Sequence, residues 1–272
     1  MDTVVTSLQR DIIRALGVEQ TFELAEATER RVAFLADYLT QAGASSYVLG
    51  ISGGVDSTVA GRLAQLACER VGARFIAVRL PYGKQGDAHD AEDALSFIRP
   101  HVIEEVDIKP AVDALHAGTS PASGWKDERL EDLVKGNIKA RQRMVVQYAI
   151  AGRENGLVVG TDHAAEAVMG FFTKHGDGAC DVVPLAGLVK SYVRAIGEHL
   201  GAPAHLVTKV PTADLEDDRP GLPDEAAYGV SYAQIDSYLV GEEIEASARE
   251  VIERAYRVTA HKRAPAAGPP PR

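Results

Sequence analysis

Apolar residues recur at helical spacing over residues 3–16, where Val4, Val5, Leu8, Ile12, Ile13 and Leu16 form one stripe that Gly17 ends. The same period over residues 21–42 gathers Phe22, Leu24, Val32, Phe34, Leu35, Tyr38 and Leu39 before Gly43. The pattern then shortens. Residues 46–51 are an apolar run closed by Ser52-Gly53-Gly54, and they predict a buried strand followed by a tight turn. A helix is predicted over residues 56–71, a strand over 74–80, a helix near 89–99, a strand over 101–108, a helical region between about 128 and 153, and a strand over 157–161. Short strands alternating with amphipathic helices make βαβ units, which close right-handed into a parallel sheet covered on both faces. The expected fold is therefore α/β, a single domain over residues 1–263 with an open parallel sheet. Residues 264–272 hold four prolines and are expected to form a disordered tail. No repeat and no dividing linker is visible.

Parallel open sheets bind ligands beyond the carboxyl ends of their strands. Three segments lie there: residues 52–57, 81–87 and 161–166. Residues 81–86 carry two glycines and a proline, and residues 211–223 carry three prolines and the acids Glu216, Asp217 and Asp218. Both read as binding loops or lids.

The first of those strand ends carries the chemistry. In Ser52-Gly53-Gly54-Val55-Asp56-Ser57 the glycines let backbone approach an anion, and the following helix offers unpaired N–H groups and the positive end of its dipole. Asp56 would repel phosphate directly, so its plausible task is to hold Mg2+ against phosphate oxygens. The plain alternative is a glycine turn with Asp56 as the helix N-cap. Other phosphate loops are excluded: Gly83-Lys84 is followed by Gln85, and no strand is followed by a Gly-x-Gly-x-x-Gly turn.

Composition narrows the classes. The chain has 272 residues, 46% of them hydrophobic, enough for a sizeable core. Its net charge of −10 disfavours nucleic-acid binding. No run approaches a membrane span, and the first residues lack a signal sequence, so a cytoplasmic protein is expected. Two cysteines, Cys68 and Cys180, give no disulfide framework and no Cys-x-x-Cys pair.

The Ser-Gly-Gly-x-Asp-Ser turn after the first strand resembles the pyrophosphate loop of the ATP pyrophosphatases that adenylate a substrate. Later blocks narrow the likeness to the NAD synthetases: Gly160-Thr161-Asp162-His163-Ala164-Ala165-Glu166, Phe172-Thr173-Lys174-His175-Gly176-Asp177-Gly178, Pro184-Leu185-Ala186-Gly187-Leu188-Val189-Lys190, Pro211-Thr212-Ala213-Asp214-Leu215 and His261-Lys262-Arg263. The resemblance covers residues 20–263 and is to the short, ammonia-dependent type, with an adenine nucleotide α-hydrolase-like, Rossmann-like fold. It implies that deamido-NAD attacks ATP at the α-phosphate, releasing pyrophosphate. Ammonia then attacks the acyl-adenylate to give NAD and AMP. A carboxylate anion needs this activation, being a poor electrophile with oxide as its leaving group.

By motif position the resemblance assigns Gly50, Ile51, Ser52, Gly53, Gly54, Val55, Asp56 and Ser57 to the ATP phosphates, with Thr161 and Thr212 as further ATP contacts. Asp56 and Glu166 would ligate Mg2+. Lys190 would reach the phosphates as a catalytic cation, and Asp177 would receive ammonium and take its proton. Arg141, Lys174, His261 and Lys262 would face the dinucleotide's negative charge, with Asp181 as a ribose or ring contact. His89, His101, His116, His199 and His205 share no spacing and are expected to be structural or exposed. The family implies a homodimer that contributes to the dinucleotide site.

The chain departs from the family pattern at Val55, where many members have Gln, at Ala226-Ala227-Tyr228-Gly229, which leaves Glu225 without an assigned role, and in its proline tail. Sulfur-transfer relatives would need reactive cysteines, and a glutamine-dependent synthetase would need a glutaminase domain for which no chain remains. A non-catalytic nucleotide sensor on the same fold is the rival from another class.

Overall fold

The computed structural model describes residues 6–83, 88–212 and 224–269. Val4 and Val5, much of the loop at 81–86, nearly all of 211–223 and the last three residues lie outside the described residues. The amino-terminal half follows the predicted alternation. Helices α1 (Ser7–Ala15) and α2 (Leu24–Gln41) precede β1 (Ser46–Gly50), α3 (Val55–Val71), β2 (Arg74–Arg79), α4 (Ala88–Ile98) and β3 (Val102–Glu105). Then come α5 (Lys109–Thr119), α6 (Glu128–Arg153) and β4 (Gly156–Val158). The elements described after β4 are helices: α7 (Ala164–Met169), α8 (Lys190–His199), α9 (Ala204–Thr208), α10 (Asp224–Tyr228), α11 (Tyr232–Leu239), α12 (Ala246–Val258) and α13 (Ala260–Arg263).

The four strands of the described residues form one parallel sheet in the order β3-β2-β1-β4. Alternation along each strand divides its side chains between two cores. Tyr47, Leu49, Phe75 and Ala77 join α2, α3, α4 and α8 on one face, while Val48, Ile76, Val78 and Val158 join α5 and α6 on the other. Each such buried aliphatic side chain contributes roughly 1.5–3 kcal/mol. A third apolar cluster, from Ile12 of α1 through Ala165 of α7 to Ile235 of α11 and Ile252 of α12, supports the carboxyl-terminal helices.

Three elements differ from expectation. The strand predicted over 101–108 is shorter, although Val106 and Ile108 still donate to the carbonyls of Arg79 and Pro81 at 3.0 and 2.9 Å. The strand predicted over 157–161 ends at Val158. Val159 makes a single bridge to Val182, and Gly160 gives its missing Cβ volume to the sulfur of Cys180. Helix α5 was not expected. Its Pro110 sits in the first turn, where a missing N–H costs nothing, so the residue marks a start and not a break.

The chain leaves β1 toward β2 and β3 on one side, and β4 pairs with β1 on the other. The crevice between the carboxyl ends of β1 and β4 is thus the switch point at which such sheets bind ligands.

Candidate active site

The crevice opens into a cavity of about 480 Å3. Its floor is the turn after β1. Ile51 donates to Val78 O at 2.9 Å, and the chain then turns at Gly53, whose φ is +81°. A Cβ on Gly53 would lie 2.7 Å from the backbone nitrogen of Ala91, so only glycine lets the turn lie against α4. Ser52 and Ser57 face each other at 3.1 Å between hydroxyl oxygens, and Ser57 donates to Gly54 O at 3.1 Å. Gly54 is the N-cap of α3 and supplies no side-chain cap. Asp56, at the second helical position, is therefore not the N-cap that the plain alternative assigned to it. The first residues of this 17-residue helix line the cavity, and a helix start there is suited to an anion.

The Asp56 carboxylate is committed elsewhere. Lys190, the first residue of α8, is 1% exposed and places its ammonium 2.9 and 2.7 Å from the two Asp56 oxygens. Asp236 fixes the start of α8 by accepting from the backbone nitrogens of Lys190 and Ser191 at 3.0 and 2.7 Å. His163, fully buried at the start of α7, sets Nε2 3.3 Å from the Lys190 ammonium, 3.5 Å from Asp56 and 3.6 Å from Glu166. Four ionisable groups therefore meet at one point: Asp56 from beyond β1, His163 and Glu166 from beyond β4, and Lys190 from the start of α8.

Their protonation follows from burial and from each other. Burial alone would raise the Asp56 carboxyl, but the Lys190 charge, the His163 ring and the hydrogen bonds from Lys190 and from Asp56's own backbone together outweigh it and hold Asp56 below its usual range. Burial raises Glu166 well above the carboxylate range, and the Asp56 charge raises it further. Burial, then Asp177 and Asp56, push Asp162 up to about 7. Asp177 is also raised by burial, against the pull of the Thr173 N–H that donates to it at 2.8 Å. Burial and the neighbouring Lys190 bring His163 down to about 3, so its ring is neutral.

Lys190 already balances Asp56. Glu166 is left as a buried carboxyl short of positive charge. One ligand atom each from Asp56, His163 and Glu166 lies within 4.8 Å of the others. The two carboxylates match the oxygen donors that a hard divalent cation prefers, and the imidazole does not. The donor set thus fits such a cation between Asp56 and Glu166, with His163 behind it as a neutral spacer.

Of the residues singled out in the sequence, Gly50, Ile51, Ser52, Gly54, Val55, Asp56, Ser57, Thr161, Glu166, Asp177, Lys190, Thr212 and Lys262 line this cavity. Gly53 underlies it. Arg141, Lys174, Asp181 and His261 are not part of its wall. The first two and His261 are linked in a row outside it: Arg141 Nε donates to Lys174 O at 3.3 Å, and Lys174 Nζ to His261 O at 2.7 Å. Asp181 closes the end of β4, accepting from Val158 N at 2.7 Å. Glu225 accepts from Tyr232 N at 2.7 Å and so secures the start of α11.

Sequence reasoning missed His163 and Gln147. His163 stands three residues before Glu166 at a helix start, a spacing that places both on one face; that signal was legible. Gln147, whose Oε1 accepts from Gly50 N at 2.8 Å, comes from the middle of α6 and carries no sequence signal.

Known proteins share both the sequence and the shape. The family model described as NAD synthase matches residues 27–266. An NH(3)-dependent NAD(+) synthetase of Streptomyces coelicolor is 58% identical over 263 residues, 94% of this chain and 95% of that protein. The crystal structure of NAD+ synthetase from Burkholderia pseudomallei superposes with a TM-score of 0.81 at 52% identity, covering 94% of this chain and 95% of the other. NMN synthetase from Francisella tularensis gives the same TM-score at 36% identity, covering 92% and 99%. With the glycine turn, the buried Lys190–Asp56 pair and Glu166 gathered beyond the carboxyl ends of β1 and β4, this chain belongs to the NAD synthase family.

Proposed function

We propose that the chain is an ammonia-dependent NAD synthetase, which joins ammonia to the nicotinate carboxylate of deamido-NAD at the expense of ATP. The observation that carries this reading is the pairing of an anion-binding helix start with a buried cation. The turn 52–57 and the amino end of α3 receive the ATP phosphates, and the Lys190 ammonium stands beside them, held by Asp56. Nucleophile and leaving group are both negative, so donors and cations set in place beforehand supply the stabilisation. The nicotinate oxygen attacks the α-phosphorus, the bond to the β-phosphate oxygen breaks, and pyrophosphate leaves. Ammonia then adds to the acyl carbon and AMP leaves.

Asp56 and Glu166 are the residues that would hold Mg2+, which when bound would supply charge for the departing pyrophosphate and favour the ionised form of Glu166. Asp177, raised by burial, accepts the proton that ammonium must lose before its nitrogen can attack. Thr161 and Thr212 contact ATP. We assign Lys262, and beyond it the row Lys174, His261 and Arg141, to the dinucleotide, with Asp181 at its edge. We also infer a homodimer, supported by Leu130, Leu133 and Val145 standing exposed along α6; a monomer in sedimentation at micromolar concentration would remove that inference. No described helix is long and apolar enough to cross a membrane, both cysteines are free, and we place the enzyme in the cytoplasm.

The test is an end-point assay with ATP, Mg2+, deamido-NAD and ammonium. NAD and AMP should form in equal amounts. ADP in place of AMP would refute adenylation, and ATP binding without pyrophosphate release would favour a nucleotide sensor. One solved relative is an NMN synthetase, so nicotinate mononucleotide is run as a competing acceptor; the dinucleotide should be preferred.

A further inference from the structure

Lys190 is addressed at both ends by one helix. Asp236 of α11 accepts from the backbone nitrogens of Lys190 and Ser191, and Tyr232, four residues earlier on the same face of α11, meets the other end of the side chain. The Lys190 ammonium lies 5.0 Å from the centre of the Tyr232 ring. A cation within about 6 Å of an aromatic face is drawn to it, most strongly where water is excluded. Lys190 is 1% exposed and Tyr232 4%, so little water competes for either. The ammonium thus has a carboxylate, an imidazole and an aromatic ring as neighbours.

The ring is fixed by polar contacts as well as by packing. Its hydroxyl donates to Asp224 Oδ2 at 2.9 Å, and the Tyr228 hydroxyl lies 3.3 Å from the same phenolic oxygen. A phenol has one proton, and that of Tyr232 is spent on Asp224, so Tyr228 is the donor of the second bond. The two rings meet edge-on, 5.7 Å between centres and 76° between planes. Burial raises the Tyr232 phenol, so the hydroxyl keeps its proton. Donation to a carboxylate oxygen pushes electron density back into the ring, which strengthens its hold on a cation.

Lys190 and Asp224 line the active-site cavity, whereas Tyr232 is not part of its wall. Tyr232 therefore reaches the reaction only through Lys190. Both Asp56 oxygens hold the ammonium, and a phosphate arriving at the turn competes with them for it. The ring neither leaves nor changes charge during that exchange. We propose that Tyr232 is a positioning residue, whose ring face keeps the Lys190 ammonium in place while that cation is shared between Asp56 and the ATP phosphates. A cation set in place beforehand is what charge on the departing phosphate requires.

This inference rests on the function proposed above. The experiment uses the full chain with Tyr232→Phe, and with the same substitution carrying one, two or three ring fluorines, which drain the π face at nearly constant shape. The rate of pyrophosphate release at saturating ATP and deamido-NAD should fall with each fluorine, by about tenfold across the series, while the KM for ATP stays within about twofold. Fluorinated tyrosines at the same position keep the bond to Asp224 and should fall in the same order, which covers a Tyr232→Phe chain that does not fold. A rate that is flat or rises with fluorination in a folded series overturns the proposal, because a ring that only fills space is indifferent to its charge distribution. A change confined to the KM for ATP overturns it as well. Wild-type protein in the same assay separates the two claims: no NAD from wild type refutes the function, whereas NAD from wild type with a flat series refutes only the role of Tyr232.

Discussion

Replacing Glu166 by glutamine should stabilise the cation-free protein while it destroys activity. The Asp56 and Glu166 ligand oxygens lie within 4.8 Å of each other. At an effective dielectric of about 20, two unit charges at that separation repel by about 3.5 kcal/mol. Lys190 offsets part of this through its contacts with Asp56 at 2.7 and 2.9 Å, leaving a gain on the order of 1–3 kcal/mol for the neutral side chain. In a protein of this size that corresponds to a rise in Tm of about 2–8 °C. The gain must depend on pH. Glu166 is raised in the fold, so its cost is absent below the unfolded value of about 4.3, where both states hold the proton, and it grows as pH rises toward the folded value. Thermal unfolding of both proteins at about pH 5 and about pH 8, with and without Mg2+, measures it. Mg2+ should raise the Tm of the wild type and have little effect on the variant, which has lost a ligand. A variant less stable than wild type at the higher pH, or a gain that does not change with pH, would refute the electrostatic reasoning.

Asp56→Ala should abolish NAD formation and also weaken the fold. It strands the Lys190 ammonium, 1% exposed, without its counter-ion, and breaking a buried pair in this way costs about 3–5 kcal/mol; an active Asp56→Ala protein would remove the metal and phosphate roles together. Gly53→Ala should lose ATP-dependent pyrophosphate release, since a left-handed φ of +81° and a 2.7 Å approach to Ala91 N must both be relieved by moving the turn away from α4. Wild-type rates in that variant would show that the turn's position is immaterial.

How much of this was legible beforehand depends on the range of the forces involved. Apart from α5, the strands and helices of residues 24–158 follow from period, because burial on one or two faces imposes a period of two or of 3.6 on the local sequence. The Ser52–Ser57 turn was legible for a similar reason: glycine conformations and helix starts are local properties. Helix α5 was missed, and residues 164–263 gave little beyond motif blocks because most of the helices described there are short.

What the chain alone determined, then, was its alternation of strand and helix, the glycine turn at the end of the first strand, and the family resemblance of its later blocks. Only the tertiary structure decided that Asp56 is bound by Lys190 from 134 positions away, that His163 lies against both Asp56 and Glu166, and that Asp181 closes a strand end. Those facts come from the order of strands in the sheet and from the seating of α8, which are set by packing between distant segments. The charges of the site acquire their unusual protonation from the same source, since neither burial nor a neighbour's field exists until the fold has closed.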